Sequence, residues 1–248
     1  MRQFDVFVFD ENFDETQGNL PQPPFTDPEL GWFFTNDWNK YLDEIEGEWV
    51  VFAHPSIKID RDFLNNVAEV SDSFPMVDAF APRIRTDKGN FLGGYLLKPA
   101  SKGSGFVEID ESAPLRYVAA PHPYLGIFSR RIIQRTGGFD TTLPEYARLA
   151  DFTLRMMHAG GKMFSVPYLV AQATNAEVET AAEMRDFKSM AVILSKAFGA
   201  EASVPFALHH PSVIPTLLRN RKQRKEKRKA ATLLSKLKAE FLKEVTAK

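Results

Sequence analysis

The side chains in this 248-residue chain whose types and spacing could do chemistry fall into a few short groups. His54 and Ser56, separated by Pro55, follow an apolar run. An imidazole and a hydroxyl so placed can lie beside a diphosphate or hold a transition metal weakly, and they can equally hydrogen-bond each other at a strand end. Asp10 closes an earlier apolar run, where a carboxylate can grip a ligand or simply form a turn. Asp140 follows Gly137-Gly138-Phe139, where it can orient a ligand or place the next loop. Asp151 stands four residues before Arg155, a spacing that pairs the two along one helix face. Arg83 and Arg85 alternate on a strand-like segment and could steer phosphate. His122 sits between two prolines, the composition of a rigid loop, and the pair His209-His210 is too isolated to form a metal set. There is no cysteine, which excludes disulfides and thiolate metal centres.

These groups need elements to hold them. Residues 5–9 (DVFVF) are a short apolar run rich in β-formers, read as a buried strand ending at Asp10. A Pro-rich loop over 19–28 follows, and Trp38, Tyr41, Leu42 and Ile45 recur at helical spacing within 35–46. Gly47 ends that helix, and a strand over 48–53 breaks at His54-Pro55. Residues 60–72 read as a helix, 76–84 as a strand, 86–90 as a turn, and 98–114 as a loop or strand-poor insertion. The chain turns apolar again over 124–128, and a helix from about residue 130 runs to Gly137-Gly138. A helix over 146–159 is closed by Gly160-Gly161. A strand over 163–166 and a helical stretch over 177–198 complete the series. Strands alternating with helices predict an α/β fold with a mainly parallel sheet.

Composition is that of a globular protein, with 44% hydrophobic and 25% charged residues. The N-terminal stretch lacks the basic-then-apolar layout of a signal peptide, and no run approaches the roughly 20 apolar residues of a membrane span. A cytoplasmic protein is expected, attached at most to a membrane surface. The net charge of −1 conceals two unlike parts. Residues 216–248 carry 12 basic and 3 acidic residues, leaving 19 basic and 29 acidic in the remainder. Residues 1–210 are therefore read as the α/β domain and 211–248 as a basic, amphipathic helical tail. Its run 219–229 holds eight basic residues and one acid, and Ala230, Leu234, Leu237, Phe241 and Val245 form one apolar stripe. Such a tail fits an anionic membrane surface, a partner protein, or docking on its own domain. A nucleic-acid arm fits less well, because no aromatic is interleaved for base stacking.

Three stretches, read in order, resemble the family-2 glycosyltransferases of GT-A fold. Residues 5–16 (DVFVFDENFDET) are similar to the family's second strand, with Asp10 at the position that holds the nucleotide base. Residues 39–59 are similar to its helix, glycine and strand that end in the Asp-x-Asp motif, with Asn39 and Gly47 at matching positions. Residues 130–167 are similar to its helix, Gly-Gly-Phe-Asp turn, acidic-motif helix and following strand. The resemblance covers about residues 4–170, and the turn 137–140 with its flanking helices is its most specific part.

The resemblance implies a GT-A-like sheet flanked by helices, nucleotide-sugar binding, and sugar transfer to an acceptor hydroxyl in glycan or polysaccharide assembly. It marks Asp10, Asn39, His54, Ser56, Asp140 and Arg155 as the substrate-binding set. Departures from the pattern are equally specific. The family's opening strand has no counterpart before residue 5 on this alignment. The two metal-chelating carboxylates of Asp-x-Asp are replaced by His54 and Ser56, so no divalent metal cofactor is expected, because hard cations want carboxylate oxygens. The positions of the catalytic base and its acidic partner hold Arg148 and Leu149, and leucine accepts no proton. Asp151, on another face of the same helix, is the remaining candidate base. Two expectations follow: a metal-independent or degenerate glycosyltransferase-like protein, or a non-catalytic subunit that kept the fold.

Overall fold

The computed structural model describes residues 2–10, 13, 21–97, 105–110, 112–174, 187–198, 200–219 and 245. The run 220–229 and the stripe residues Ala230, Leu234, Leu237 and Phe241 lie outside the described residues, as does the first part of the 177–198 stretch.

One mixed, mostly parallel sheet organises the protein. Its strands are β1 (Phe4–Phe9), β2 (Leu30–Thr35), β3 (Trp49–Ala53), β4 (Ile57–Lys58), β5 (Ala79–Arg85), β10 (Leu125–Ser129) and β11 (Met163–Ala173), in the order β2-β1-β3-β10-β5-β11-β4. Two short strands flank this path, β6 (Phe91–Leu92) on β5 and β9 (Arg116–Tyr117) on β11. β1 runs parallel to both β2 and β3, with Val8 opposite Phe34 on one side and Ala53 on the other. β10 is antiparallel to β3 and to β5, so β3 and β5 point the same way, and β11 is parallel to β5. Apart from the sheet stands a hairpin, β7 (Tyr95–Leu97) with β8 (Phe106–Glu108), whose second strand falls in the segment 98–114 expected to be a loop or strand-poor.

Alternation along the strands loads the two faces differently. Phe4, Val6, Trp49, Val51, Phe80 and Ile84 point to one face, covered by helix α1 (Arg61–Ser73) through Phe63, Leu64, Val67 and Val70. Asp60 caps α1 by accepting from the Phe63 N–H at 2.9 Å. Phe7, Phe9, Val50, Phe52, Ala79 and Ala81 point to the other face, where α2 (Arg130–Thr136) and α3 (Glu145–His158) supply Ile132, Ile133, Leu149, Phe152 and Met156. The outer side of α3 then buries Leu143, Ala147, Ala150 and Leu154 against α4 (Phe187–Phe198), α5 (Ala200–His209) and α6 (Ile214–Arg219). Val213, Leu217 and Val245, all placed in the tail by sequence, are buried in this third cluster, and the Val245 carbonyl accepts from the Leu97 N–H at 2.9 Å.

Two expectations are corrected. Residues 35–46 do not form a helix; they hold one 3-10 turn, Leu42–Glu44. The Thr35 hydroxyl accepts from the Asp37 N–H, and the Asp37 carboxylate accepts from the Asn39 N–H. Those local bonds compete with a helical ladder, while Trp38 and Ile45 still reach the core. The likening of residues 5–9 to a second strand also loses its support. β1 lies where the strand order reverses, flanked by parallel strands on both sides, which is the place of the first strand in a doubly wound sheet.

One glycine, Gly47, makes a close approach to β1 possible. The Asp5 carboxylate is fully buried and accepts from the Glu46 and Gly47 N–H groups at 2.8 and 2.7 Å. A Cβ on Gly47 would lie 2.6 Å from the Asp5 nitrogen, so this turn admits no side chain.

Candidate functional site

In open α/β sheets, ligands bind outside the carboxyl ends of the strands at the point where strand order reverses. Here that point lies between β1 and β3, and it collects Asp10, Thr35, His54 and Ser56. β5 and β11 end on the same edge. Thr174, just past β11, reaches the Ser56 carbonyl with its N–H at 2.7 Å and its hydroxyl at 3.0 Å.

A cavity of about 320 Å³ opens at this edge, within the size range of small-molecule sites. Val8 and Asp10 of the β1 end, Trp32 and Phe34 of β2, and Pro55 and Lys58 beyond β3 line it. Trp32 and Phe34 stack with ring centroids 6.2 Å apart, and Phe25 meets Trp32 edge-on at 5.6 Å. The Trp32 indole N–H is buried and has no acceptor among the described residues. A donor left without a partner costs about 1–3 kcal/mol, which a ligand oxygen would recover.

His54 and Ser56 are joined to each other. The His54 Nδ1 lies 2.6 Å from the Ser56 hydroxyl and also accepts the Ser56 backbone N–H at 3.2 Å. Since Nδ1 receives a backbone donor, the neutral ring carries its proton on Nε2. The ring stacks on Tyr124 at 4.5 Å, and the His54 N–H donates to the Tyr124 carbonyl at 2.9 Å. This donor set presents an N–H rather than a lone pair.

The other sequence-picked residues gather elsewhere, around the turn 137–140. Asn39 spends both ends of its amide on Phe139: its Nδ2 donates to the carbonyl at 3.1 Å, and its Oδ1 accepts the N–H at 2.7 Å. A Cβ on Gly138 would stand 2.5 Å from that Oδ1, so the glycine makes room for the asparagine. Gly137 has φ of 82°, a left-handed conformation that favours glycine, and closes α2.

Asp140, Asp151, Arg155 and Lys196 form one ion-pair network. Lys196 of α4 pairs with Asp140 and, at 3.3 Å, with Asp151. Arg155 takes the other Asp151 oxygen at 2.8 Å and the Thr136 carbonyl at 3.3 Å. Burial by itself would raise the Asp140 pKa, but the hydrogen bond and charge of Lys196, with two bonds from Thr142, hold the carboxyl well below the usual range. Asp151 is 2% exposed, with one oxygen on each cation. Leu149 is buried in the face of α3 that meets the sheet, while Arg148 donates to the Leu143 carbonyl at 2.8 Å and lies over the Trp38 ring.

Sequence reasoning missed Trp32 and Lys196. Trp32 belongs to β2, which follows the Pro-rich loop and carried no assignment. Lys196 lies 56 residues from Asp140, and no local pattern links them. His122, singled out as a loop residue, is 1% exposed, its Nε2 has no partner, and burial drives its pKa down to about 3.

No family model matches this chain, and no curated protein matches it. Many solved structures resemble it, among them the following three. GalNAc-T7 with UDP, GalNAc and Mn2+ has a TM-score of 0.52 at 9% identity, over 90% of this chain and 54% of that one. A mannosyltransferase from Pyrobaculum calidifontis, PcManGT, in complex with GDP-Man and Mn2+, has a TM-score of 0.49 at 18% identity, over 98% and 81%. TarS from S. aureus with UDP-GlcNAc has 0.49 at 15% identity, over 91% and 79%. The chain thus spans about half of the GalNAc-T7 structure, and that likeness identifies the fold as the GT-A type. Among the described residues no helix is long and apolar enough to cross a membrane.

Proposed function

We propose that this chain binds a nucleoside diphosphate sugar at the carboxyl ends of β1, β2 and β3, as a glycosyltransferase-like protein of family-2 type acting in glycan or polysaccharide assembly. One observation carries the reading. A cavity with an orphaned indole N–H and stacked aromatics lies at the strand-order reversal of a GT-A-type sheet, beside Asp10. GalNAc-T7 holds UDP on the same fold. In this reading the base packs on Trp32 and Phe34, and Asp10 accepts from it. The His54 Nε2–H donates to a diphosphate oxygen. Lys58, exposed and ion-paired with Asp60 at 3.1 Å, adds positive charge at the rim.

The GalNAc-T7 structure holds Mn2+ beside its UDP and GalNAc. The residues here do not suit that ion. A hard divalent cation wants several carboxylate or carbonyl oxygens, whereas position 54 offers an imidazole whose Nδ1 is already taken by Ser56. Diphosphate charge is met instead by N–H donors and Lys58, and no step is assigned to a metal.

A second reading, a non-catalytic subunit that binds nucleotide sugar, is favoured by the state of Asp151. Its two oxygens are ion-paired and it is shut away from solvent, while Leu149 offers no base. The basic run after residue 219 then attaches the complex to an anionic membrane surface or a partner protein. Calorimetric titration with a panel of UDP and GDP sugars, with and without manganese, tests the primary reading. Metal-independent binding of one donor class supports it, and no binding by any donor overturns it. Product formation over an acceptor panel separates the two readings: turnover that Asp151→Ala abolishes would make Asp151 the base and remove the second.

A further inference from the structure

The face of the sheet toward α2 and α3 carries, besides Asp5, a group of polar side chains where β5, β11 and β9 lie side by side. Strand alternation sends Ala79, Ala81 and Arg83 to that face, since Phe80 and Ile84 pack on the opposite one. Ser165 shares the face with Met163, while Phe164 and Val166 turn away. Arg116 of β9 sits directly opposite Ser165, and Ser165 is paired on its other side with Ala81. Strands about 4.8 Å apart with a rise of about 3.3 Å per residue put the Arg83 and Arg116 Cα atoms roughly 12 Å apart. Two arginine side chains can close that span around one small group, with Ser165 between them.

Their hydrogen bonding is incomplete. Arg83 is 7% exposed, and its Nη2 donates to the Ala113 carbonyl at 2.7 Å, but its Nε has no acceptor. The Arg116 Nε and the Ser165 hydroxyl are likewise buried and unpartnered. No carboxylate among the described residues forms an ion pair with either guanidinium. Asp110, which is fully exposed and bonded to Ser112, feels the Arg83 charge only as the smallest of the influences on it. Arg116 is half-buried as a residue, and its Nε is shut away from solvent. Buried cations are ordinarily paired, because desolvation is costly without an opposite charge. Two guanidinium groups with no carboxylate partner among the described residues and a buried hydroxyl with no bond thus stand on one face of three neighbouring strands, an arrangement that lacks an anion. The planar, multi-donor fork of arginine matches an oxyanion with two or three oxygens.

We infer that Arg83, Arg116 and Ser165 form an oxyanion-binding site that takes a phosphate or carboxylate group carried by the saccharide acceptor. Arg83 lies toward the carboxyl end of β5, on the same sheet edge as Asp10 and His54, so such a group would anchor one end of the acceptor and leave the other free to face the donor. The word acceptor rests on the proposed function; the oxyanion site itself does not.

The test uses the full chain. Inorganic phosphate, glucose 6-phosphate, glucuronate and plain glucose are titrated while the arginine Nε–H resonances are followed by NMR. The expected result is that the Arg83 and Arg116 Nε–H signals move and saturate with glucose 6-phosphate or glucuronate, tighter than with inorganic phosphate, and do not move with glucose. Which of the two sugars binds better identifies the group. Arg116→Gln, a half-buried site that tolerates substitution, should weaken binding by about tenfold or more. It should leave calorimetric binding of the nucleotide sugar unchanged, so that failure here is distinguishable from failure of the nucleotide reading. Nε–H signals that stay unmoved by every anion, or equal affinity in Arg116→Gln, would overturn the inference. Saturation by inorganic phosphate alone, with neither sugar bound better, would also overturn the acceptor assignment.

Discussion

Lowering the pH should destabilise this protein through one residue, His122. The ring is buried between Tyr95 and Tyr124, with centroids 6.4 and 5.5 Å away, and its Nδ1 accepts from the Tyr124 N–H at 3.3 Å. Burial moves its pKa from 6.5 to about 3. The unfolded chain therefore binds a proton below about pH 6.5 that the folded chain refuses until about pH 3. The stability tied to the neutral ring is fully present above the unfolded value and is lost progressively as pH falls through that window. Each pH unit inside it is worth about 1.4 kcal/mol, so at pH 5 the loss is about 2 kcal/mol. Urea unfolding of the native chain and of His122→Asn, at pH 7.5, 6.5, 5.5 and 5, isolates the effect. Asparagine keeps an acceptor for the Tyr124 N–H but does not titrate. The stability difference between the two proteins should shrink by about 2 kcal/mol between pH 7.5 and 5. A difference that stays constant across that range would refute the reasoning, because it would mean that the buried imidazole takes up its proton as freely as an exposed one.

Other substitutions test the network around residues 137–140. Lys196→Met leaves Asp140 and Asp151 buried without their shared cation and should cost about 3–5 kcal/mol in urea unfolding. Asn39→Ala removes both bonds to the Phe139 backbone and should cost about 2 kcal/mol. Gly138→Ala should destabilise by about 1–3 kcal/mol in the native background but by much less with Asn39→Ala, since the clash is with Asn39 Oδ1; thermal unfolding of the double-mutant cycle reads the coupling. Leu149→Asp places a carboxylate among Phe152, Met156 and Ile132 and should lower the melting temperature without producing sugar transfer, as followed by product formation.

Periodicity made much of the scaffold legible. The runs at 5–9 and 48–53, the helices α1, α2 and α3, and the glycine stops at 137 and 160 are each set by contacts close in sequence. What escaped depends on contacts far apart. β2 needs β1 beside it, and its Leu-Gly-Trp-Phe-Phe-Thr run has too little alternation to announce a strand after a proline loop. The 35–46 segment has helical spacing of apolar residues, yet Thr35, Asp37 and Asn39 spend their side chains on the local backbone or on Phe139 and stop the ladder. β11 runs on from Val166 to Ala173 because a register shift between Ser165 and Val170 accommodates Pro167. Within the site, Asp10, His54 and Ser56 could be read as strand-end residues. Asn39, Asp140, Asp151 and Arg155 read as ligand-binding residues, and the bonds the structure gives them join Asn39 to Phe139 and link Asp140, Asp151, Arg155 and Lys196. Trp32 could not be read at all, because its significance is an unpaired indole N–H, which exists only once the chain is folded.

The central claim is that a nucleotide occupies the cavity at the reversal between β1 and β3. The three tryptophans make a direct measurement possible: Trp32 lines the cavity, while Trp38 and Trp49 are 3% and 6% exposed in the core. Their indole N–H resonances, with the backbone amides, are followed by NMR as UDP and then GDP are added to the full chain without metal. The account predicts that the Trp32 indole and the amides of Asp10 and Ser56 shift and saturate with one of the two nucleotides, while the Trp38 and Trp49 indoles stay in place. A saturating response that leaves Trp32 unmoved, or no response to either nucleotide, would contradict it.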